Sequence, residues 1–158
     1  MFTTIDEQNF FFNELNPTKK VLEYGSGEST IEIASKCEFV VSVEHQKEWY
    51  DVLYGKKPEN CKLFFCPPNL PYVEGSDCGT YEEFKDYIES PIEDGPYDVI
   101  LIDGRARVSC ASICNKLTNE NGIIFIHDFH RQEYQDCLNY LTIIDIVGTM
   151  AKFKLKKQ

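Results

Sequence analysis

The sequence predicts a doubly wound α/β sheet. Five short apolar runs alternate with amphipathic stretches along the chain. The runs are continuous in apolar character, as in parallel strands covered on both faces. After them come two further runs separated only by Gly148-Thr149, too short a link for a crossover, so these must pair antiparallel.

The elements follow in order. Thr4-Ile5-Asp6-Glu7 is a capping-box pattern ahead of a first helix, with Phe11, Phe12 and Leu15 on one side and a stop near Asn16-Pro17. The five runs are KVLEY (20–24), EFVVSVE (38–44), KLFFC (62–66), YDVILID (97–103) and GIIFIHD (122–128). Between them, Ser29-Thr30-Ile31-Glu32 and Thr80-Tyr81-Glu82-Glu83 are two more capping boxes, and Tyr81, Phe84 and Ile88 share a helix face. Tyr134, Cys137, Leu138 and Leu141 mark a later amphipathic stretch. TIIDIV (142–147) and MAKFKLK (150–156) bring the strands to seven. One domain over 1–158 accounts for the whole pattern, with an N-terminal helical segment (1–17) and a core (18–158). The longest irregular piece, CPPNLPYVEGSDCG (66–79), is a Pro- and Gly-rich loop expected to lie over the site.

Composition narrows the partners. Sixteen Lys and Arg stand against 26 Asp and Glu, a net charge of −10 that repels phosphate backbones and anionic lipid. The one basic run, KFKLKK (152–157), reads as a strand with a solvated face, so neither nucleic acid nor a membrane is expected as a partner. Seven cysteines, mostly in apolar segments and without a signal peptide ahead of them, suit reduced core residues of a cytoplasmic protein. Cys110 and Cys114 share a helix face, but no CxxC or Cys/His cluster accompanies them, so zinc is not expected.

In such a sheet, ligands bind beyond the carboxyl ends of the strands. Gly25-Ser26-Gly27 ends the first strand there, where glycines let backbone approach a ligand and the following helix offers free N–H groups. Glu44 ends the second strand, at the position that faces a ribose in this fold. A dinucleotide and S-adenosylmethionine (SAM) both remain open. SAM is favoured, because Thr30 stands where a dinucleotide loop wants a third glycine, and because Glu23 and Glu28 flank the loop with negative charge. A carboxylate at Glu23 suits the cationic end of an amino acid instead.

With ExGSGxS after strand one, an acid ending strand two in SVEHQKEWY and ILIDG ending strand four, the chain resembles a class I SAM-dependent methyltransferase from Val21 to Lys156. The resemblance implies a Rossmann-like sheet of seven strands, the last antiparallel, with SAM as cofactor. It implies Glu23, Tyr24, Gly25, Ser26, Gly27 and Ser29 around the methionine part, and Glu44 and His45 towards the ribose. Asp103 would also border the cofactor. The family often has an acid or amide after strand three for adenine; here Cys66-Pro67-Pro68-Asn69 stands there, leaving Asn69 as the nearest polar candidate.

The ends of strands four and five bear on the acceptor. Neither an Asn/Asp-Pro-Pro-Tyr motif nor a Pro-Cys pair occurs, which argues against a nucleobase. Strand five ends in His127-Asp128, followed by His130 and Arg131. An alcohol needs a base, and His127 is the natural one at neutral pH, with Asp103 and Asp128 to orient it. Arg105, Arg107 and His130 are candidates for gripping a polar acceptor. This pattern predicts O-methylation of a small molecule or of a sugar on a glycan, with a partner domain or subunit of a glycan-building system compatible by analogy. Three rivals stand beside it. One is a divalent-metal O-methyltransferase acting on a catechol-like phenol, in which Asp103 and Asp128 hold the ion, although His127 stands where an oxygen ligand is wanted. The others are an NAD-dependent oxidoreductase and an inactive SAM-binding subunit. The metal-free histidine base is the favoured expectation.

Overall fold

The computed structural model describes residues 2–73 and 79–157. The elements run α1 (Ile5–Phe12), β1 (Lys20–Tyr24), α2 (Glu28–Lys36), β2 (Phe39–Glu44), α3 (Lys47–Tyr54) and β3 (Cys61–Phe65). They continue with α4 (Lys85–Glu89), β4 (Tyr97–Ile102), α5 (Arg107–Ser112), α6 (Cys114–Leu117), β5 (Thr118–Ile126), β6 (Leu141–Val147) and β7 (Met150–Leu155). The sheet order is β3-β2-β1-β4-β5-β7-β6; β7 is antiparallel to both of its neighbours, and every other pairing is parallel. The order reverses between β1 and β4, and this opens a crevice at their carboxyl ends.

Strand alternation divides the core. Val21, Val40, Val99, Leu101 and Phe125 face α1 and α2, where Phe11 and Ile33 pack on them. Leu22, Val41, Ile100, Ile124 and Ile126 face the opposite layer of Tyr87, Ile88, Cys110 and Leu117. Every strand between β2 and β5 is thus covered on both sides, which is why these runs are continuously apolar.

Several boundaries differ from the sequence expectation. The second capping box does not form at Ser29: α2 starts a residue earlier, at Glu28, and its Gly27 cap donates its N–H to Thr30 Oγ1 at 3.0 Å. The Thr80 box does form, with Thr80 N donating to Glu83 Oε1 and Glu83 N to Thr80 Oγ1, but turns follow and regular helix begins only at Lys85. The stretch around Tyr134 is a 3₁₀ helix over Gln132–Asn139. β5 begins at Thr118, with a register shift between Tyr97 and Val99 on its partner β4. The outermost strand, β6, leaves Ile143, Ile144 and Ile146 exposed; its register shifts between Ile143 and Asp145, and Asp145 Oδ1 accepts the Ile146 N–H at 2.8 Å. Among the described residues, no helix is long and apolar enough to cross a membrane. Of the loop over 66–79, residues 74–78 lie outside the described residues.

Candidate active site

The tips of β1 and β4 meet backbone to backbone. Gly25 has φ +95°, and a Cβ there would lie 2.7 Å from the Asp103 carbonyl oxygen, so only glycine permits the approach. Gly27 differs: a Cβ there would meet nothing within 4 Å, because the residue faces open space. Gly25, Ser26, Gly27, Ser29 and His45 border a crevice of about 290 Å³ from the side of β1 and β2. Asp103, Arg105, Arg107 and Asp128 border it from β4 and β5, joined by Arg131 and Tyr134, which no motif in the sequence marks as site residues.

Other expected site residues stand elsewhere. Glu23 is fully buried: Val21 and Glu23 point towards α2, and the strand's alternation carries Glu23 beneath the loop and away from its open side. There Glu23 Oε1 accepts from Thr30 Oγ1 (2.5 Å) and Ser42 Oγ (2.8 Å), and Oε2 from Ser29 Oγ (2.7 Å). Burial raises its pKa to about 7 against the pull of those three hydroxyls. Glu23 therefore builds the loop from below and does not line the crevice. Tyr24 is also buried, its hydroxyl donating to the Ile88 carbonyl at 2.6 Å.

Glu44 ends β2 as expected but is only 3% exposed, and its Oε2 accepts the N–H groups of His45 (2.9 Å) and Gln46 (2.7 Å). One carboxylate oxygen thus holds the turn from β2 into α3, ahead of the helix cap at Gln46, and Glu44 does not border the crevice. Asn69 turns to α4, donating to Asp86 Oδ2 at 2.8 Å and accepting the Asp86 N–H at 2.9 Å, and does not border the crevice. His130 is exposed and does not border it either.

The largest correction concerns His127. It shares the face of Phe125, so its ring turns under α1 instead of towards the crevice. Nδ1 lies 3.0 Å from Asp103 Oδ1, while Nε2 lies 3.2 Å from Thr3 Oγ1 and 3.5 Å from Glu7 Oε2. Burial pulls its pKa down, but the hydrogen bond and charge of Asp103, with Asp128 and Glu7, outweigh burial and raise it. The partners hold down in turn. Burial would raise Asp103, yet His127 and Arg107 keep it low. Glu7 is lowered to about 2, despite burial, by Thr149, Thr3 and His127. A ring buried under α1, with both nitrogens engaged and outside the crevice lining, is not placed to take a proton from an acceptor there. Its structural partner Glu7 sits in the capping box at the chain's start, but nothing local in the sequence links that acid to strand five.

Arg107 completes the cluster and is 8% exposed. Its Nε donates to the Gly104 carbonyl at 2.9 Å and its NH1 to the His127 carbonyl at 2.6 Å. The same guanidinium stands 3.6 Å from Asp103 Oδ1 and 3.5 Å from Asp128 Oδ2. Arg105 lies 5.6 Å from the centre of the Tyr72 ring, which packs edge-on against Phe84.

No protein-family model matches the chain, and no curated protein matches it. Solved structures do. A methyltransferase-like protein from Silicibacter pomeroyi, 23% identical, covers this whole chain and 89% of its own with a TM-score of 0.74. A protein of Streptococcus mutans assigned as a methyltransferase, solved in complex with SAH, is 10% identical over 99% of this chain and 100% of its own, with a TM-score of 0.60. The tRNA (m1A58) methyltransferase of Aquifex aeolicus is 15% identical over 97% of this chain and 69% of its own, with a TM-score of 0.62. The last of these is a tRNA methyltransferase, so the neighbours do not support the expectation that nucleic acid is no partner, which rests on charge and on the missing base-methylation motifs. With its reversed strand order, its antiparallel β7 and these neighbours, the chain has the fold of the class I SAM-dependent methyltransferases.

Proposed function

We propose that this protein transfers a methyl group from SAM to a hydroxyl of a small molecule or of a sugar on a glycan. One observation carries the reading: the Gly25-Ser26-Gly27 crook presents an open face at Gly27 beside the β4 tip, in a fold shared with a protein bound to SAH. The residues fit SAM. Gly27 leaves room where a side chain would intrude, Ser29 and Thr30 brace the crook through Glu23, and His45 borders the crevice at the end of β2. Arg105 and Arg131 offer guanidinium groups to a carboxylate or a polar acceptor.

Bound SAM supplies a methyl group already activated by its sulfonium. The chain's own task is alignment, which is able to supply ~7–11 kcal/mol of the barrier. Asp128 is the group placed to take the hydroxyl proton: it borders the crevice, is half-buried, and has φ +56° at the tip of β5. A base so placed typically contributes ~10²–10⁴-fold. His127 and Asp103 are positioning residues that fix the β4 and β5 tips.

Titration calorimetry with SAM, SAH and NADH tests the cofactor. SAM and SAH binding with no NADH binding is expected; the reverse would replace methyl transfer with redox chemistry. Labelled methyl transfer to panels of sugars, phenols, amines and RNA tests the acceptor. Label confined to the amine or RNA panel would overturn the hydroxyl, and tight SAM binding with no turnover on any panel would point to a silent subunit.

A further inference from the structure

One ligand atom each from Asp103, His127 and Asp128 lies within 4.8 Å of the others, the spacing of a divalent-cation site, at the strand tips where such an ion is the rival reading of the sequence. The residues present do not fit one. A hard cation wants six or more oxygens with their lone pairs free. Here Asp103 Oδ1 is hydrogen-bonded to His127, and the Arg107 guanidinium already stands 3.6 Å from Asp103 Oδ1 and 3.5 Å from Asp128 Oδ2.

That guanidinium is not a loose surface group. Two backbone carbonyls, of Gly104 and His127, hold it in place, and the Tyr134 ring lies 4.8 Å from its central carbon. Arg131 adds a second guanidinium 3.7 Å from Asp128 Oδ2. The charge of the two aspartates is thus balanced by two arginines, and an incoming divalent ion would meet a fixed positive charge at the centre of its site. We infer that Arg107 is the resident cation of this crevice, filling the place between Asp103 and Asp128 that a divalent ion would take, so that the protein works without a metal.

A resident guanidinium bears on ligand choice. A guanidinium keeps its charge at every working pH and donates in a plane, so it orients an oxygen-bearing acceptor by hydrogen bonds and cannot chelate a pair of adjacent phenolic oxygens as a metal does. Acceptors that depend on such chelation are therefore disfavoured against isolated hydroxyls.

Removing the guanidinium should unmask the acids. Mn²⁺ binding, read by loss of the free-ion electron paramagnetic resonance signal, is compared for wild type, Arg107→Met and Arg107→Gln, both of which keep most of the side-chain volume. Over roughly 10⁻⁴–10⁻³ M Mn²⁺, the range of weak protein sites, wild type should bind none. The variants should bind about one ion, and adding Asp128→Asn should abolish it. Circular dichroism confirms that each variant is folded. Wild-type uptake of Mn²⁺ that Asp128→Asn removes would overturn the proposal, as would folded Arg107 variants that bind no ion. The wild-type thermal midpoint should also be the same in EDTA and in Mn²⁺; a rise with Mn²⁺ that Asp128→Asn cancels would overturn it even if no Arg107 variant folds. Neither readout needs SAM or an acceptor, so failure here is separable from failure of the methyl-transfer proposal.

Discussion

Replacing Glu23 with glutamine isolates a carboxyl that the fold holds back from ionising. Glu23 is fully buried, and its pKa rises from 4.5 to about 7. The native state therefore keeps a proton that the unfolded chain has lost across this range. Stability from this group is fully present below pH 4.5 and declines as pH rises through about 7. At ~1.36 kcal/mol for each tenfold change in proton affinity, the span from 4.5 to about 7 amounts to about 3 kcal/mol. With ~2.1 cal/mol/K of unfolding entropy per residue, a chain of 158 residues gives about 0.33 kcal/mol/K, so the midpoint moves by about 10 °C. Glutamine cannot ionise, yet it retains a carbonyl oxygen to accept from Thr30 and Ser42. Scanning calorimetry of wild type and Glu23→Gln at matched ionic strength should show the wild-type midpoint falling relative to the variant between acid and neutral pH. Midpoints that run parallel with pH would refute the buried, protonated carboxyl and with it the account of how the loop is braced.

The remaining predictions concern the crook and its supports. Gly25→Ala, with φ +95° and no room beside Asp103, should destabilise the fold and abolish SAM binding together. Gly27→Ala should leave thermal stability within about 1 kcal/mol of wild type while weakening SAM in calorimetry, because its methyl group enters the crevice and no packed core. Equal SAM affinity for wild type and Gly27→Ala would remove the crook from the binding site. His127→Gln takes the ring from between Glu7 and Asp103, and urea unfolding should register a loss of about 3–5 kcal/mol; a loss below about 1 kcal/mol would show that the ring does not pair with these acids as a buried ion pair. Glu7, held to about 2, contributes stability above pH 4.5 that is lost as pH falls through about 2, so Glu7→Gln should flatten the acid limb of the stability curve.

The sheet was legible because its signals are periodic and local. Continuous apolar runs between capping residues marked β1 to β5 within a few residues, and the single Gly148-Thr149 link dictated the antiparallel pair. The glycine crook was legible for the same reason, since only a close backbone approach explains Gly25. The roles of the acids and of His127 were harder to read. A residue's identity at a strand tip does not say which face it takes; that follows from counting alternate residues back into the strand. Counting from Val21 puts Glu23 under α2, and counting from Phe125 puts His127 under α1, so the alternation did carry the signal. What no local pattern carries is partnership across the chain: Glu7 with His127, and Arg107 with both Asp103 and Asp128, are brought together only by the crossover topology. Arg131 and Tyr134 join the crevice through a 3₁₀ segment that a helix-period reading treats as ordinary amphipathic surface.

The outer margin of the sheet has a bearing on solubility. Isoleucines 143, 144 and 146 on β6 offer an apolar ribbon of the kind that recruits further strands into aggregates. Two features blunt it: the slipped register at Ile144 breaks the even spacing another strand would need, and the Asp145 side chain occupies the Ile146 amide. The slipped register and that one acidic side chain together guard this flank of the molecule against strand addition.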